Sequence, residues 1–270
     1  MSQNTKALRV RIKSVTSTLQ LTKAMGLVAS SKIRRANEAM LKGREYAAAW
    51  DETLSLLVSD RETANSPFCQ VRDSGRTRLI VIAGDRGLAG GYNANVFRLA
   101  ATYPDAEIIP IGKRACERYG QPVVSSEHFS FADAAALAQT LCVEFENGEY
   151  DRLGILCTRY HSVMSQEAMV RWVLPLSATP SAKSAAPVFE PDALTVLNHV
   201  VREYVAGMLT VCVRESFASE VAARRMAMDS AGKNATQMID NLQLEYNRAR
   251  QGAITQEITE IVAGSGDETR

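Results

Sequence analysis

All eight prolines of this 270-residue chain lie between Pro67 and Pro191, so the first 66 residues and the last 79 contain none. Proline costs about 3 kcal/mol in a helix interior, because it removes a hydrogen bond and clashes with the preceding turn. Two long proline-free ends that also carry apolar residues at helical spacing therefore predict two long helices. The proline-containing middle predicts a compact domain mounted between them.

The N-terminal stripe is regular. Alternate steps of four and three from Leu8 pass through Ile12, Val15, Leu19, Thr22, Gly26, Ala29, Ile33, Ala36, Met40, Gly43, Ala47, Trp50, Leu54 and Leu57. A seam sustained for about seven heptads predicts a coiled-coil partner rather than a surface helix of a globular core. Small residues at Gly26, Ala29, Ala36 and Gly43 would let a second backbone approach closely. A helix from Thr5 to Val58 would be roughly 80 Å long at 1.5 Å per residue.

From Asp192 to Val262 the pattern is less even. Leu194, Leu197, Val201, Tyr204, Met208 and Val211 keep the step, which then meets Glu215, Arg225 and Asp229. It resumes in another register at Ile239, Leu242, Tyr246, Ala249 and Ala253, and again at Ile258 and Ile261. Such slips read as stutters that change a supercoil locally. The alternative is several shorter helices broken near Gly207 or Gly232.

With 46% apolar and 23% charged residues, the composition is that of a globular chain. No stretch approaches 18 uncharged apolar residues, which predicts no membrane span, and the start MSQNTKALRVRIKS has no apolar core of a secretory signal. Five cysteines without metal-like spacing read as buried reduced thiols of a cytosolic protein. The net charge of +1 conceals a local excess: residues 1–45 carry ten Lys and Arg against two acids, a balance of +8. These basic residues are expected on the helix face away from the seam, either solvated or meeting an acidic partner. Nucleic acid is disfavoured, since no binding motif or aromatic platform accompanies the charge.

In the middle, residues 78–84 (RLIVIAG) read as a buried strand entering a glycine-rich turn. Helix 94–101, strand 107–111, helix 113–119, an extended 122–126, helix 133–146 with Asp133 as its cap, and strand 153–158 follow. Residues 164–174 would return antiparallel on the sheet edge, and 177–191 would link back to the last helix. Alternating strands and helices predict an α/β layer with a mostly parallel sheet. The turn Gly84-Asp85-Arg86-Gly87-Leu88-Ala89-Gly90-Gly91 occupies the place of a phosphate loop, which makes a nucleotide-binding α/β enzyme the competing reading. It lacks the Lys and hydroxyl of GxxxxGK[ST] and the spacing of GxGxxG. The histidines His128, His161 and His199 lack metal spacing, and no motif for nucleophilic or paired-carboxylate catalysis is present. No cofactor, metal or catalytic residue is expected.

Three segments carry a resemblance: LTKAMGLVASSKIRRA (21–36), GDRGLAGGYN (84–93) and MIDNLQLEYNRARQGAITQEITEIV (238–262). In these the chain resembles the gamma subunit of F-type ATP synthases, in the family's order and over essentially its whole length. Gly26 stands where the family usually carries a charge and Ala89 where it often has cysteine. The regulatory cysteine insertion of chloroplast members is absent.

The resemblance implies an α/β protein: a long antiparallel coiled coil of N- and C-terminal helices (1–60 and 191–270) plus a central Rossmann-like α/β domain (61–190). It implies a central rotor stalk, non-catalytic by itself, that transmits rotation between the membrane c-ring and the alpha/beta hexamer. Partners would be the alpha and beta subunits, the epsilon subunit and the c-subunit ring, with one copy per complex at the cytoplasmic face of the cell membrane. Lys23 and Met25 would lie near a beta-subunit loop, and Asp85 and Arg86 would meet a beta subunit in some rotary positions. Arg250, Gln256 and Glu260 would make polar contacts in the hexamer. Ile258, Ile261 and Val262 would sit in its apolar sleeve, with packing inside the coil as the alternative for Ile261.

Overall fold

The computed structural model describes residues 3–72, 75–177 and 189–265. Most of the proposed 177–191 linker and the polar end beyond residue 265 lie outside them. Helices α1 (Gln3–Val58) and α5 (Ala193–Ser265) are each unbroken. Between them come two short 3-10 turns (Glu62–Asn65 and Pro67–Cys69), then β1 (Thr77–Ile82), α2 (Tyr92–Ala100), β2 (Glu107–Ile111), α3 (Lys113–Tyr119), α4 (Phe131–Glu146), β3 (Arg152–Ser162) and β4 (Ser165–Leu174). The chain divides into two compact units, Ala29–Arg224 and the paired segments Met1–Val28 with Arg225–Arg270.

In the larger unit the sheet order is β2-β1-β3-β4. Strand β1 runs parallel to both β2 and β3, and β4 closes the edge antiparallel to β3. Both faces are covered, which is why β1 is a continuous apolar run rather than an alternating one. Leu79 and Val81 pack with Val96, Ala100, Ala115 and Leu156 under α2 and α3. Ile80 and Ile82 point the other way, into a core with Leu141 and Phe145 of α4 and Leu197, Val201 and Leu209 of α5. A fully buried aliphatic side chain of this kind contributes about 1.5–3 kcal/mol.

Residues 204–213 of α5 are all buried, because one side meets α1 and the other meets the sheet layer. The most apolar stretch of α5 is long enough by composition to cross a bilayer, at mean hydropathy 1.2, but 67% of it is buried inside the protein. It is the domain's central helix.

The two long helices run antiparallel in this unit. A β-carbon on Gly43 would sit 3.5 Å from Val211, while one on Gly207 would come within 2.5 Å of the Tyr46 ring. Gly207 therefore marks a close helix crossing and not a helix break. The failure of the seam at Glu215 has a specific cause. Its carboxylate accepts from Arg44 Nη2 at 2.6 Å and from the Tyr160 backbone N–H at 3.1 Å. Next to it Ser216 Oγ accepts from Thr158 N–H, and one turn on Ser219 Oγ donates to the Thr158 carbonyl, both at 3.0 Å. Here α5 carries a second packing face, polar where it meets the end of β3, and the heptad phase yields to it.

In the smaller unit Gly26 faces Met228, and Gly232 faces Leu19 and Thr22, so this pairing is antiparallel as well. Thr22, the polar member of the seam, satisfies its hydroxyl on the Leu19 carbonyl at 2.9 Å. Ala235 and Leu242 are buried, whereas Ile254, Ile258, Ile261 and Val262 are exposed.

Two expectations need correction. Helix α4 starts at Phe131 with Ser130 as its cap, and Asp133 is the reciprocal member of a capping box: Ser130 N–H donates to Asp133 at 2.8 Å and Asp133 N–H to Ser130 Oγ at 3.2 Å. The basic residues of α1 also do not all face away. Lys32 pairs with Glu127, and Arg44 bonds both Glu215 and the Tyr160 carbonyl, since the sheet layer covers that side of the helix.

Candidate functional surfaces

The glycine-rich turn leaves β1 and enters α2, and the fold ties it down at both ends. Gly84 N–H donates to Asn93 Oδ1 at 2.9 Å, and Asn93 Nδ2 returns a bond to the Arg86 carbonyl at 3.3 Å. Asp85 lies at the centre of the next layer. Its carboxylate accepts from Lys113 N–H (3.0 Å), Ser125 Oγ (2.5 Å), Ser126 N–H (2.9 Å) and Glu127 N–H (3.1 Å). Partial burial pulls its pKa upward, but these four bonds outweigh that and hold it below the ordinary carboxylate range. Asp85 thus caps α3 and shapes the segment before α4.

A change of Asp85 to alanine is expected to cost about 2 kcal/mol, since four donors lose one charged acceptor. Because the folded pKa is depressed, the contribution of Asp85 is present above the usual aspartate titration and lost as pH falls through the folded value. Denaturation at neutral and acidic pH checks both points: the gap between wild type and variant should narrow in acid.

From the opposite side the turn is gripped by α5. Arg224 Nη2 donates to the carbonyls of Arg86 and Gly87, both at 3.4 Å, and pairs with Glu220 one turn earlier. Glu220 is buried at 3% exposure, and a β-carbon on Gly84 would lie 2.6 Å from its carboxyl carbon. Burial raises the pKa of Glu220, opposed by Arg224. The buried Tyr92 phenol is likewise pushed up, by burial first and by Glu220 second. The carbonyls of Arg86 and Gly87 and the carboxylate of Asp85 are thus committed to bonds within the fold. What the turn presents to solvent is its tip. Arg86 is exposed, and Leu88 is 63% exposed with φ of +60°. A bulky side chain held in that region is uncommon.

The other expected residues fall in the smaller unit. Lys23 is exposed and Met25 half-buried; Arg250, Gln256 and Glu260 are exposed. Gln256 Nε2 donates to Glu260 Oε1 at 2.9 Å along the helix surface. Ile258, Ile261 and Val262 are 55%, 70% and 64% exposed, so packing inside the coil is not their role. These residues and the glycine turn belong to separate units. Sequence reasoning missed Leu88, Glu220 and Arg224. The i,i+4 spacing of Glu220 and Arg224 was a legible signal, but nothing in the sequence joined that pair to residues 84–91.

A family model described as ATP synthase matches residues 4–266 of the chain. The ATP synthase gamma chain of Ruminococcus albus is 40% identical to it, with 97% of this chain and 98% of that one covered. The chain belongs to the ATP synthase gamma-chain family. A second family member, the gamma chain of Acetobacterium woodii named as sodium ion specific, is 36% identical over 98% of this chain and 99% of its own length. The gamma-chain fold is shared with a chain of the Euglena gracilis mitochondrial ATP synthase, at a TM-score of 0.69 and 18% identity over 97% of this chain and 94% of that one. A rotor chain from the same organism's enzyme gives 0.65 at 19% identity, covering 93% of this chain and 99% of the other. The family resemblance read from residues 21–36, 84–93 and 238–262 is upheld, together with the fold it implied.

Proposed function

We propose that this gamma chain works as the central stalk of an F-type ATP synthase, turning with a c-subunit ring and driving a hexamer of alpha and beta subunits. The family supplies the complex; the observation that carries the working end is the exposed apolar row Ile254, Ile258, Ile261 and Val262 at the end of α5. Large aliphatic side chains left in water at a helix end mark an interaction surface, and an apolar sleeve in the hexamer suits them. Arg250, Gln256 and Glu260 supply polar contacts beside it.

In this reading Lys23, Met25, Arg86 and the Leu88 tip meet beta subunits, whereas Asp85 and Glu220 act indirectly by fixing the turn. The central α/β domain faces the epsilon subunit and the ring at the cytoplasmic side of the membrane. The chain itself supplies no catalytic group: it shifts each beta site by contacting it differently in each orientation, and only a differential contact can move such an equilibrium.

Copurification tests the reading, with one copy of this chain per three beta subunits as the expected result. Ile258→Asp combined with Ile261→Asp should abolish that recovery or uncouple ATP synthesis. Arg250→Ala should weaken it, and both variants should keep the helicity of the isolated chain, since these side chains are solvent-exposed. Unchanged assembly and synthesis in the double variant would remove the tip from the interface.

A further inference from the structure

Cys157 of β3 and Cys212 of α5 come from distant parts of the sequence and meet where α5 crosses the sheet. Both are buried at 3% exposure within one apolar core, where each thiol lies in the other's electrostatic field. The junction is pinned beside them by the bonds of Thr158 to Ser216 and Ser219. A cavity of about 280 Å³ opens on the pair, lined by both cysteines together with Arg44, Asp51, Arg159, Arg171 and Glu215. The other three cysteines share neither this cavity nor a thiol partner among the described contacts.

We propose that Cys157 and Cys212 are a redox-active dithiol that a small peroxide converts to a disulfide, fastening α5 to the middle of the sheet. One thiol, as its thiolate, attacks peroxide: the O–O bond breaks, an S–O bond forms, and the departing oxygen leaves as water after taking protons. The second sulfur then attacks the sulfenic sulfur, the S–S bond forms, the S–O bond breaks and a second water leaves. The two thiols are oxidised by two electrons and the peroxide is reduced by two. The cavity admits an oxidant of this size, and Arg171 on its wall favours the developing thiolate, opposed by Glu215. The neighbouring Cys212 and burial hold the Cys157 thiol well above the ordinary thiol range, which keeps its thiolate fraction small and makes the oxidation slow. The inference is independent of the central-stalk reading.

The test uses the folded full chain, exposed to hydrogen peroxide, quenched with catalase, denatured, alkylated and digested without reductant. A Cys157–Cys212 linked peptide that dithiothreitol reverses is expected, with alkylation of both cysteines falling about tenfold. In Cys212→Ser the reaction should stop at a sulfenic acid on Cys157, which dimedone traps. If that variant does not fold, the wild-type peptide decides alone. Cys157 and Cys212 remaining alkylatable at a peroxide level that oxidises the half-buried Cys69 would overturn the proposal, as would a linked peptide that forms only in denaturant.

Discussion

Gly112→Ala is expected to destabilise the chain by about 4 kcal/mol or more, enough to remove much of it from the soluble fraction. Gly112 joins β2 to α3 at φ of +95°, and a β-carbon there would lie 1.9 Å from the Ala83 carbonyl oxygen and 2.7 Å from its carbon. The obstacle is backbone, which cannot rotate aside. It is also committed: Ala83 N–H donates to Ile111 O at 2.8 Å, and Gly112 N–H to Val124 O at 2.9 Å. Relieving the clash would part β1 from β2 at the point where the glycine turn begins. Gly120→Ala is the control, because its φ of +64° is similar but nothing lies within 4 Å of its added carbon. That variant should cost only about 1 kcal/mol, the penalty of backbone conformation alone. Urea unfolding of the two variants separates clash from conformation, and equal losses would show that β1 and β2 can shift freely.

The second large effect is expected at Arg224. Its side chain is 12% exposed and that of Glu220 4%, so Arg224→Ala strands a buried carboxylate and frees the carbonyls of Arg86 and Gly87. Breaking such a pair from one side costs about 3 kcal/mol. The pH dependence has a definite sign. Burial already raises the folded pKa of Glu220 above its unfolded value, and loss of the arginine raises it further. Proton uptake by Glu220 therefore supports the folded state fully below the ordinary glutamate range, and that support is lost as pH rises through the folded value. The deficit of Arg224→Ala should be largest at neutral pH and shrink on acidification. Adding Glu220→Gln, which removes the charge but keeps the shape, should recover most of it at neutral pH. A deficit that is flat from acid to neutral pH would mean that lost packing and carbonyl bonds, not the stranded charge, dominate.

Both effects concern the glycine-rich turn, and they change what the motif means. Read as a sequence, GDRGLAGGYN invites either a phosphate or a partner. In the folded unit, Gly84 gives room to Glu220, Asp85 caps α3, and Asn93 closes the turn, so most of its residues are spent on its own architecture. The exposed side chains left to meet another molecule are those of Arg86 and Leu88, beside the exposed Gly90 and Gly91. The motif is a rigid mount with a small exposed tip.

What the order of residues determined by itself was local and periodic. Proline placement fixed where long helices could exist, since one interior proline outweighs many good helix formers. The seam from Leu8 to Leu57 set the buried face of α1 because helical periodicity depends on spacing alone, and all its members are at least half-buried. The run RLIVIAG at 78–84 implied a buried strand. What only the tertiary structure decided depended on groups brought together from afar: Glu215 interrupting the heptads to bond Arg44 and Tyr160, Arg224 reaching the turn more than a hundred residues earlier, Lys32 paired with Glu127, and two thiols meeting across a strand and a helix. Spacing along a chain encodes which face a residue occupies. Which distant groups share that face is set by packing, and there α5, with two faces to bury, had to break the pattern that made it legible.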